Sequence, residues 1–516
     1  MDRSLFDLVI LGGGVNGCGI ARDAAGRGMS VFLCERDDLA SGTSSASTKL
    51  IHGGLRYLEQ RQFRLVRESL LEREVLLRAA PHIMRHLRFM LPHHRLLRPL
   101  WLLRLGLFLY DHLGGRHLLP PTRIVNLHRD SMGKPLKPAF VRGLEYSDCA
   151  VDDARLVVLN AIGAVESGAC IRVGTDFETA HWENDAWSIK LRDLRSGRRY
   201  EIRAKALVNA AGPWAGELLT QRLQRTQQKS FRLVKGSHII VRRALDPDRA
   251  YTFQQADGRV IFAISYQRDW TLIGTTDVDY RGDPRNARIS AEEVEYLCSA
   301  VSEYFREPVR AEDVIHAYAG VRALFDENSV TAQEASRDYV LQLDQRDGGV
   351  LLNVFGGKLT TYRKLAEAAL DQLRRFFPSM GAPWTARVPL PGGQFRPEDI
   401  QHQCELAYQR FPRLPHSLLD RLVHAYGTRA PRVLQEATSL EELGICFGAD
   451  LYEREVRYLV ENEWALSAAD ILWRRSKLGL RTTADEARRL SEWLADHLGV
   501  AARPHTPDFQ HQAMNI

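Results

Sequence analysis

The sequence predicts an α/β fold that combines a Rossmann-like nucleotide-binding domain, an antiparallel β-rich domain and an all-helical C-terminal domain. First, a strand-length apolar run from Phe6 to Leu11 leads directly into Gly12–Gly17, which has the spacing G-x-G-x-x-G. Second, a buried-strand run at Val350–Val354 is followed by a glycine pair and a helical pattern. Third, helical periodicity dominates from residue 398 to about Val500.

These patterns set the expected domain boundaries. We predict a discontinuous nucleotide-binding domain from residues 1–90, 145–220 and 348–380. Residues 91–144 and 221–347 are predicted to form the substrate domain. Residues 381–397, rich in Pro and Gly, are predicted to be a linker, and residues 398–516 the helical domain.

Composition bounds the function without specifying it. A net charge of +6 over 516 residues does not indicate nucleic acid as a partner. The seven cysteines occur singly, which favours a reducing cytoplasm over disulfides or a zinc site. We expect no signal peptide, because the first strand begins within a few residues, and no spanning helix, because no uncharged apolar run is long enough.

The first glycine motif predicts a dinucleotide site. Gly12 permits the turn, Gly14 lets backbone approach a pyrophosphate, and Gly17 lets the helix pack on the strand. Glu35 ends the second predicted strand, 18 residues after Gly17, where an acid accepts hydrogen bonds from an adenosine ribose. An ordinary βαβ turn is the alternative.

Two further stretches are predicted to contact the same ligand. The Ser- and Gly-rich loop Ser41–Thr48 offers hydroxyl and N–H groups to phosphates, unless it is a solvated linker. The strand Ala206–Ala210 ends in small residues that allow close approach of backbone, unless they only serve packing. Asp152 and Asp153 are predicted to cap the following helix rather than bind a metal.

The run Ser44–Glu59, SSASTKLIHGGLRYLE, resembles the signature of FAD-dependent glycerol-3-phosphate dehydrogenases, the membrane-associated kind that pass electrons to quinone. The resemblance covers almost the whole chain, and further strong runs are Leu8–Gly28, Leu207–Trp214, Gly274–Asp277 and Asn353–Lys364. Ala323 departs from the family, which commonly has proline there.

The resemblance implies FAD as the cofactor and oxidation of sn-glycerol 3-phosphate to dihydroxyacetone phosphate, with hydride transfer to flavin N5. It implies a membrane quinone as the electron acceptor, a cytoplasmic protein held peripherally on the inner face of the cytoplasmic membrane, and a homodimer as a further candidate assembly. The predicted FAD-binding residues are Gly12, Gly13, Gly14, Asn16, Gly17, Glu35, Ser44, Ser45, Thr48, Lys49, Leu50, His52, Gly53, Gly54, Ala211, Gly212, Trp214, Gly357, Lys358, Leu359 and Thr360.

The family motifs also supply candidates for catalysis. His238 is predicted to be the base, because a neutral imidazole can accept the alcohol proton, although Arg322 remains an alternative. Arg322 and Lys358 are predicted to polarise the developing carbonyl. The predicted phosphate ligands are Arg56, Tyr57 and Arg337.

Membrane contact is predicted for one basic segment. Residues 75–110 contain six arginines among bulky apolar side chains and no acid. This composition suits a lipid interface, and the alternative is a buried hairpin whose arginines pair with acids elsewhere. Two other functions remain open: a flavin oxidase that uses oxygen with a glycerol phosphate or amine substrate, and a non-catalytic redox sensor.

Overall fold

The structure is a computed structural model of the chain. It describes residues 5–59, 62–94, 99–114, 118–225, 231–255, 258–325, 338–345, 348–498 and 511–512.

The strands of the described residues, in chain order, are β1 (Leu5–Leu11), β2 (Val31–Cys34), β3 (Leu50–Ile51), β4 (Met84–His93), β5 (Arg123–Asn126), β6 (Arg142–Val151), β7 (Cys170–Arg172), β8 (Thr175–Glu183), β9 (Ala186–Asp193), β10 (Arg199–Asn209), β11 (Phe231–Val241), β12 (Arg249–Gln254), β13 (Val260–Tyr266), β14 (Trp270–Gly274), β15 (Val278–Asp279), β16 (Val314–Phe325), β17 (Tyr339–Asp344), β18 (Val350–Gly356) and β19 (His511–Gln512).

The α-helices of the same residues are α1 (Val15–Gly26), α2 (Leu55–Glu59), α3 (Phe63–Ala79), α4 (Leu100–Leu113), α5 (Asp153–Glu166), α6 (Ala215–Glu217), α7 (Ala291–Ser302), α8 (Tyr362–Leu373), α9 (Ile400–Arg410), α10 (His416–Tyr426), α11 (Ala430–Leu434), α12 (Glu453–Glu463) and α13 (Ala484–Leu498). Asp152 is the N-cap of α5 and accepts a hydrogen bond from Arg155 N–H, as predicted.

The first sheet is a mostly parallel, Rossmann-like sheet. Its main path is β17-β18-β10-β1-β2-β7, and β1, β2, β7, β10 and β18 run parallel. The strands β8 and β9 continue as an antiparallel meander from β10. Helices α1, α5 and α8 bury their apolar faces with β1, β2, β10 and β18 in one large core. This arrangement brings the carboxyl ends of β1, β10 and β18 to the same edge.

The second sheet is almost entirely antiparallel. Its main path is β19-β16-β11-β14-β13-β12-β4-β6-β3, and only the β4–β12 pair is parallel. Strands β4 and β6, which the predicted domain boundaries at residues 90 and 145 divide, lie in this sheet. Strand β17, predicted within the substrate domain, pairs with β18 of the first sheet.

The helical domain has its own apolar core and docks on the first sheet's loops through buried charges. Its core includes Leu419, Leu459 and Leu490. Arg474 Nε donates to Asp38 at 2.6 Å, and both terminal nitrogens of Arg475 donate to the same carboxylate at 2.7 Å. All three side chains are buried. The predicted fold class, with its three parts, is confirmed.

The segment predicted as a linker packs on α1. Trp384 lies against Gly26 and donates to Asp23 O at 3.1 Å, and Arg22 donates to Val388 O at 3.0 Å. Leu390 is fully buried in the core of the first sheet. Residues 381–397 therefore follow a fixed path across the nucleotide-binding domain before α9.

Replacing Asp38 tests the docking of the helical domain. Burial alone raises the pKa of Asp38, but the two guanidinium groups outweigh burial and lower it. Asp38→Ala leaves the buried Arg475 without its carboxylate and Arg474 with Asp470 alone. We therefore expect a loss of about 3–5 kcal/mol in the free energy of unfolding. Urea unfolding followed by tryptophan fluorescence measures it.

The matched control is Asp37→Ala, because Asp37 is the exposed neighbour of the buried Asp38. We expect this change to stay within about 0.5 kcal/mol of the unmodified chain. Equal stability of the two variants would show that the ion pairs do not hold the domain.

Candidate functional site

The first glycine turn is closed by tight packing that admits no side chain. Gly12 has φ +113°, and a Cβ there would lie 2.6 Å from Ala210 O. A Cβ at Gly17 would lie 2.0 Å from Gly12 O, so α1 starts directly against the turn. Gly14 is the N-cap of α1. The positive end of this helix therefore faces the edge of the sheet where an anion can bind.

Glu35 lies beside this turn, as predicted. It accepts hydrogen bonds from Gly13 N–H at 2.6 Å and from Asp37 N–H at 2.8 Å. Burial raises the pKa of Glu35 to about 7. The carboxyl group is thus placed at the end of β2, next to the backbone that would approach a pyrophosphate.

A cavity of about 550 Å³ opens between these groups. Of the predicted FAD-binding residues it is lined by Gly12, Gly14, Glu35, Ser44, Ala211, Gly212 and Trp214. Gly42 packs on the Trp214 ring, and Ser44 Oγ accepts from Val15 N–H at 3.0 Å. The Ser-rich loop is therefore bound to the glycine turn and is not a solvated linker.

The second glycine turn meets the first. Asn16 Nδ2, in the first turn of α1, donates to Gly356 O at 3.2 Å. Behind the turns, Asn209 Nδ2 on β10 donates to Asn353 Oδ1 on β18 at 2.9 Å. Asn16 Oδ1 is buried and has no hydrogen-bond partner among the described residues. Because an orphaned buried acceptor is costly, this oxygen suits a donor supplied by a bound ligand.

The HGGLRY run is held against the second turn. His52 N–H donates to Thr360 Oγ1 at 3.2 Å, in the short helical turn Leu359–Thr361 that follows Gly357. Gly53 N–H donates to Tyr110 OH at 2.8 Å. Gly54 has φ +80°, and a Cβ there would lie 2.2 Å from the Tyr57 ring.

A buried acid supports this run from behind. Asp148 accepts from Tyr110 OH at 2.8 Å and from Arg73 Nη1 at 2.7 Å. The network consists of Gly53 N–H, Tyr110, Asp148 and Arg73, all buried. This network fixes the backbone at Gly53. It therefore also fixes Gly54, which packs against the Tyr57 ring.

Lys49, predicted to bind FAD, has partners within the protein. Its Nζ donates to both oxygens of Asp153 at 2.9 Å and to Ser45 O at 2.9 Å. Burial lowers the pKa of Lys49 to about 8, although Asp153 opposes the shift. Leu50, also predicted, is buried where β3 begins. Lys49 therefore links the Ser-rich loop to the start of α5 through its hydrogen bonds to Ser45 and Asp153.

His238 lies on β11 in a pocket of aromatic and backbone atoms. Its ring stacks on Tyr318 with centroids 4.9 Å apart, and a Cβ at Gly274 would clash with it. Nε2 lies 2.9 Å from Thr48 Oγ1, so the Ser-rich loop reaches the second sheet at this point. Nδ1 is buried without a hydrogen-bond partner among the described residues.

The charge state of His238 follows from this environment. Burial and then the positive charges of Lys49 and Arg322 lower its pKa well below the usual 6.5. The imidazole is therefore neutral at physiological pH and has a lone pair available.

Arg322 lies on the neighbouring strand β16, opposite Val234 of β11, and its guanidinium group reaches Gly236. Its Nη2 donates to Asp277 Oδ1 at 2.9 Å and to Thr276 O at 3.3 Å. A Cβ at Gly236 would lie 2.4 Å from Arg322 Nη2 and 2.8 Å from Thr275 Oγ1, so this glycine makes room for both side chains. Thr275 was not among the predicted site residues, although it lies in the GTTD run that carries the resemblance.

Lys358 and Tyr57 lie together. Lys358 Nζ is 4.5 Å from the centroid of the Tyr57 ring and donates to Ser69 Oγ at 3.1 Å. Tyr57 is buried. Of the other predicted phosphate ligands, Arg337 and the side chain of Arg56 lie outside the described residues.

One wall of the cavity was not predicted. Residues of the helical domain line it, and they are Leu466, Ser467, Ala468, Ala469, Asp470, Arg474, Ser491, Leu494 and Ala495. Most of these positions are small or apolar residues in ordinary helical patterns, and Asp470 and Arg474 are the charged ones.

Among the described residues, no group of three or more side chains is placed to hold a metal ion.

The orphaned Asn16 Oδ1, the glycine turns at two helix starts and the cavity beside Glu35 together fit a dinucleotide such as FAD.

Comparison with known proteins agrees with this geometry. Residues 7–363 match the family model of FAD dependent oxidoreductases, and residues 383–503 match the C-terminal domain of alpha-glycerophosphate oxidase. The D-erythritol 1-phosphate dehydrogenase of Brucella abortus is 50% identical, with 94% of this chain and 97% of the relative covered. The glycerol-3-phosphate dehydrogenase of Pseudomonas aeruginosa is also 50% identical, with 98% and 96% covered.

A solved structure shares the whole architecture. The glycerol-3-phosphate dehydrogenase of Bacillus halodurans, complexed with FAD, superposes with a TM-score of 0.77 at 26% identity, with 99% of this chain and 94% of that chain covered. The resemblance to FAD-dependent glycerol-3-phosphate dehydrogenases that the motifs predicted is confirmed. This chain therefore belongs to the FAD dependent oxidoreductase family, and FAD is its cofactor.

Proposed function

We propose that this chain oxidises sn-glycerol 3-phosphate to dihydroxyacetone phosphate and passes the electrons from FAD to a membrane quinone. The observation that carries the proposal is the neutral, buried His238, whose pKa the positive charge of Arg322 helps to lower. Two relatives at 50% identity are named as dehydrogenases of polyol phosphates. An alcohol oxidation needs a base for the hydroxyl proton and fixed cations for the phosphate, and this site offers both.

The chemistry divides between cofactor and protein. FAD, when bound, supplies the acceptor for the hydride that leaves the carbinol carbon. His238 takes the hydroxyl proton at Nδ1, the ring nitrogen that has no partner within the described residues. Arg322 supplies a positive charge near the oxygen as its negative charge develops. The products are a ketone and a protonated His238, so the hydride and the proton are both accounted for.

The phosphate site is proposed on the other side of the reacting carbon. Lys358 is positioned over the Tyr57 ring. We assign Tyr57, Arg56 and Arg337 to the phosphate, since arginine holds a phosphate with paired hydrogen bonds. Lys358 directly follows the second glycine turn, and we assign it to the developing carbonyl oxygen as well.

D-Erythritol 1-phosphate is a second candidate substrate. The Brucella abortus relative that acts on it by name is as identical to this chain as the Pseudomonas aeruginosa glycerol-3-phosphate dehydrogenase. The two substrates share a terminal phosphate next to a secondary alcohol and differ by one CHOH unit. A difference of this size is worth about 10- to 200-fold in kcat/KM when one pocket is shaped for one of them.

Membrane attachment is proposed through α4. Trp101, Leu105, Phe108 and Leu109 lie on one face of this helix and are 68%, 49%, 55% and 38% exposed. Arg104 is exposed beside them. An apolar face with a flanking cation suits the interface of an anionic membrane. Within the part of the chain that the structure describes, no helix has the length and apolar character needed to cross a membrane.

Two other arginines of the basic segment, Arg85 and Arg88, form contacts within the protein. Strand β4 is part of the second sheet, and Arg88 pairs with Glu145 at 3.0 Å. Arg85 donates to Ser265 O at 2.7 Å. We therefore place a peripheral contact with the inner face of the cytoplasmic membrane at α4, and we keep a homodimer as a further proposal.

Purified enzyme should oxidise sn-glycerol 3-phosphate with a kcat/KM at least tenfold above that for D-erythritol 1-phosphate. Initial rates with each substrate and a soluble quinone analogue measure this. Reversed preference would assign the enzyme to the erythritol phosphate. Reoxidation of the reduced flavin faster by dissolved oxygen than by the quinone analogue would identify an oxidase.

His238→Ala should retain FAD and lower kcat by about 10²- to 10⁴-fold, because the hydroxyl proton loses its acceptor. Turnover and the bound flavin spectrum are measured on the same sample. The control is His316→Ala, which removes another buried histidine, on β16, that stacks on Trp473. Turnover of His238→Ala near that of the control would show that another group accepts the proton.

The double substitution Trp101→Glu and Phe108→Glu should lower binding to vesicles of phosphatidylglycerol and phosphatidylcholine at least tenfold, because charges then replace the apolar face. Co-sedimentation measures the bound fraction. Ile445→Glu, at a 51% exposed position of the helical domain, is the control and should bind as the unmodified chain does. Unchanged binding of the double variant would remove α4 from the membrane contact.

A further inference from the structure

The cavity beside Glu35 is shared by two domains. Its floor consists of the glycine turn and the ends of β2 and β10, whereas one side belongs to the helical domain. That side has two parts, the segment Leu466–Asp470 and one face of α13 with Ser491, Leu494 and Ala495. Completion of the cavity therefore depends on the docking of residues more than 400 positions away in the sequence.

The position of this wall relative to the cofactor follows from the Rossmann unit. Gly12 and Gly14 mark the pyrophosphate and Glu35 marks the adenosine ribose. Asp38, three residues after Glu35, is the carboxylate that binds Arg474 and Arg475. The helical domain is thus anchored, through Asp38, on the ribose side of the cavity.

The shape and chemistry of the wall suit a flat heterocycle. Ala468 and Leu494 are buried, and Leu466 and Ala469 are half-buried at the cavity surface. These are small or apolar side chains, which leave room and offer contact to an aromatic face.

The backbone of the wall is held in place. Asp470 Oδ2 accepts from Leu466 N–H and from Ser467 N–H, both at 2.8 Å. Asp470 also pairs with Arg474, which binds Asp38. The same charged network therefore docks the helical domain and fixes the segment that faces the cavity.

We propose that the C-terminal helical domain forms part of the binding site for the adenosine half of FAD, with Leu466–Ala469 and the Ser491–Ala495 face of α13 packed against the adenine. FAD retention then requires this domain to be docked. The proposal rests on FAD as the cofactor and not on the identity of the polyol phosphate.

The test introduces tryptophan at positions of the helical domain that line the cavity. Ala495→Trp places an indole into the proposed adenine space, and Ala469→Trp does so from the other segment. Ala484→Trp is the matched control, because Ala484 is exposed at the start of the same helix α13. Each full-length apoprotein is titrated with FAD by flavin fluorescence, and its melting temperature is measured with and without FAD.

We expect Ala495→Trp and Ala469→Trp to raise the Kd for FAD at least tenfold and to reduce the FAD-induced rise in melting temperature. The Kd of the control Ala484→Trp should stay within twofold of that of the unmodified chain. The proposal is overturned if both cavity variants bind FAD within twofold of the unmodified chain. It is also overturned if a variant melts at a lower temperature as apoprotein but keeps the full FAD-induced rise. None of these measurements involves substrate, so they are independent of the substrate assignment.

Discussion

The parallel alignment of β1, β10 and β18 is the constraint on which the rest of the site depends. Parallel strands in register end at the same edge, so two glycine turns separated by about 340 residues meet there, joined by Asn16 and Gly356. The helices that begin at these turns both direct their positive ends to that edge. This edge suits a large anionic cofactor such as FAD, and the Ser-rich loop is held there because Ser44 Oγ accepts a hydrogen bond from Val15 N–H.

The antiparallel sheet carries His238, which we propose as the base. Neighbouring strands β11, β14 and β16 place His238, Gly274 and Tyr318 side by side, so the imidazole is enclosed by an aromatic ring and by bare backbone. Burial and two nearby cations keep this histidine neutral. In the proposed mechanism this neutral imidazole is the group that accepts the hydroxyl proton.

Buried carboxylates connect the parts of the molecule. Asp153 binds Lys49, and Lys477 of the helical domain lies 3.5 Å from the same carboxylate. Asp38 forms buried ion pairs with Arg474 and Arg475 of the helical domain. Removing either partner from such a buried pair is costly because it leaves an isolated charge in a low-dielectric interior. These buried ion pairs therefore hold the helical domain on the nucleotide-binding domain.

Local sequence patterns were sufficient to predict the fold class and several features of the glycine turn and helix caps. The turn at Gly12, the acid at Glu35 and the cap at Asp152 were predicted because each depends on residues close in the chain. The order of strands and glycine turns predicted the fold class. The domain boundaries remain a prediction, and strands β4 and β6 cross two of them because strand pairing is set by partners distant in sequence.

The remaining features were decided by the tertiary structure. Periodicity does not reveal that Lys49 is paired with Asp153, that Gly236 makes room for Thr275, or that alanines of the helical domain line the cavity. Each depends on contacts between segments far apart in the chain, and the composition of either segment alone does not specify its partner. The sequence by itself determined the chemistry that is present, and packing decided which groups meet, because burial and the distance between charges exist only in the folded chain.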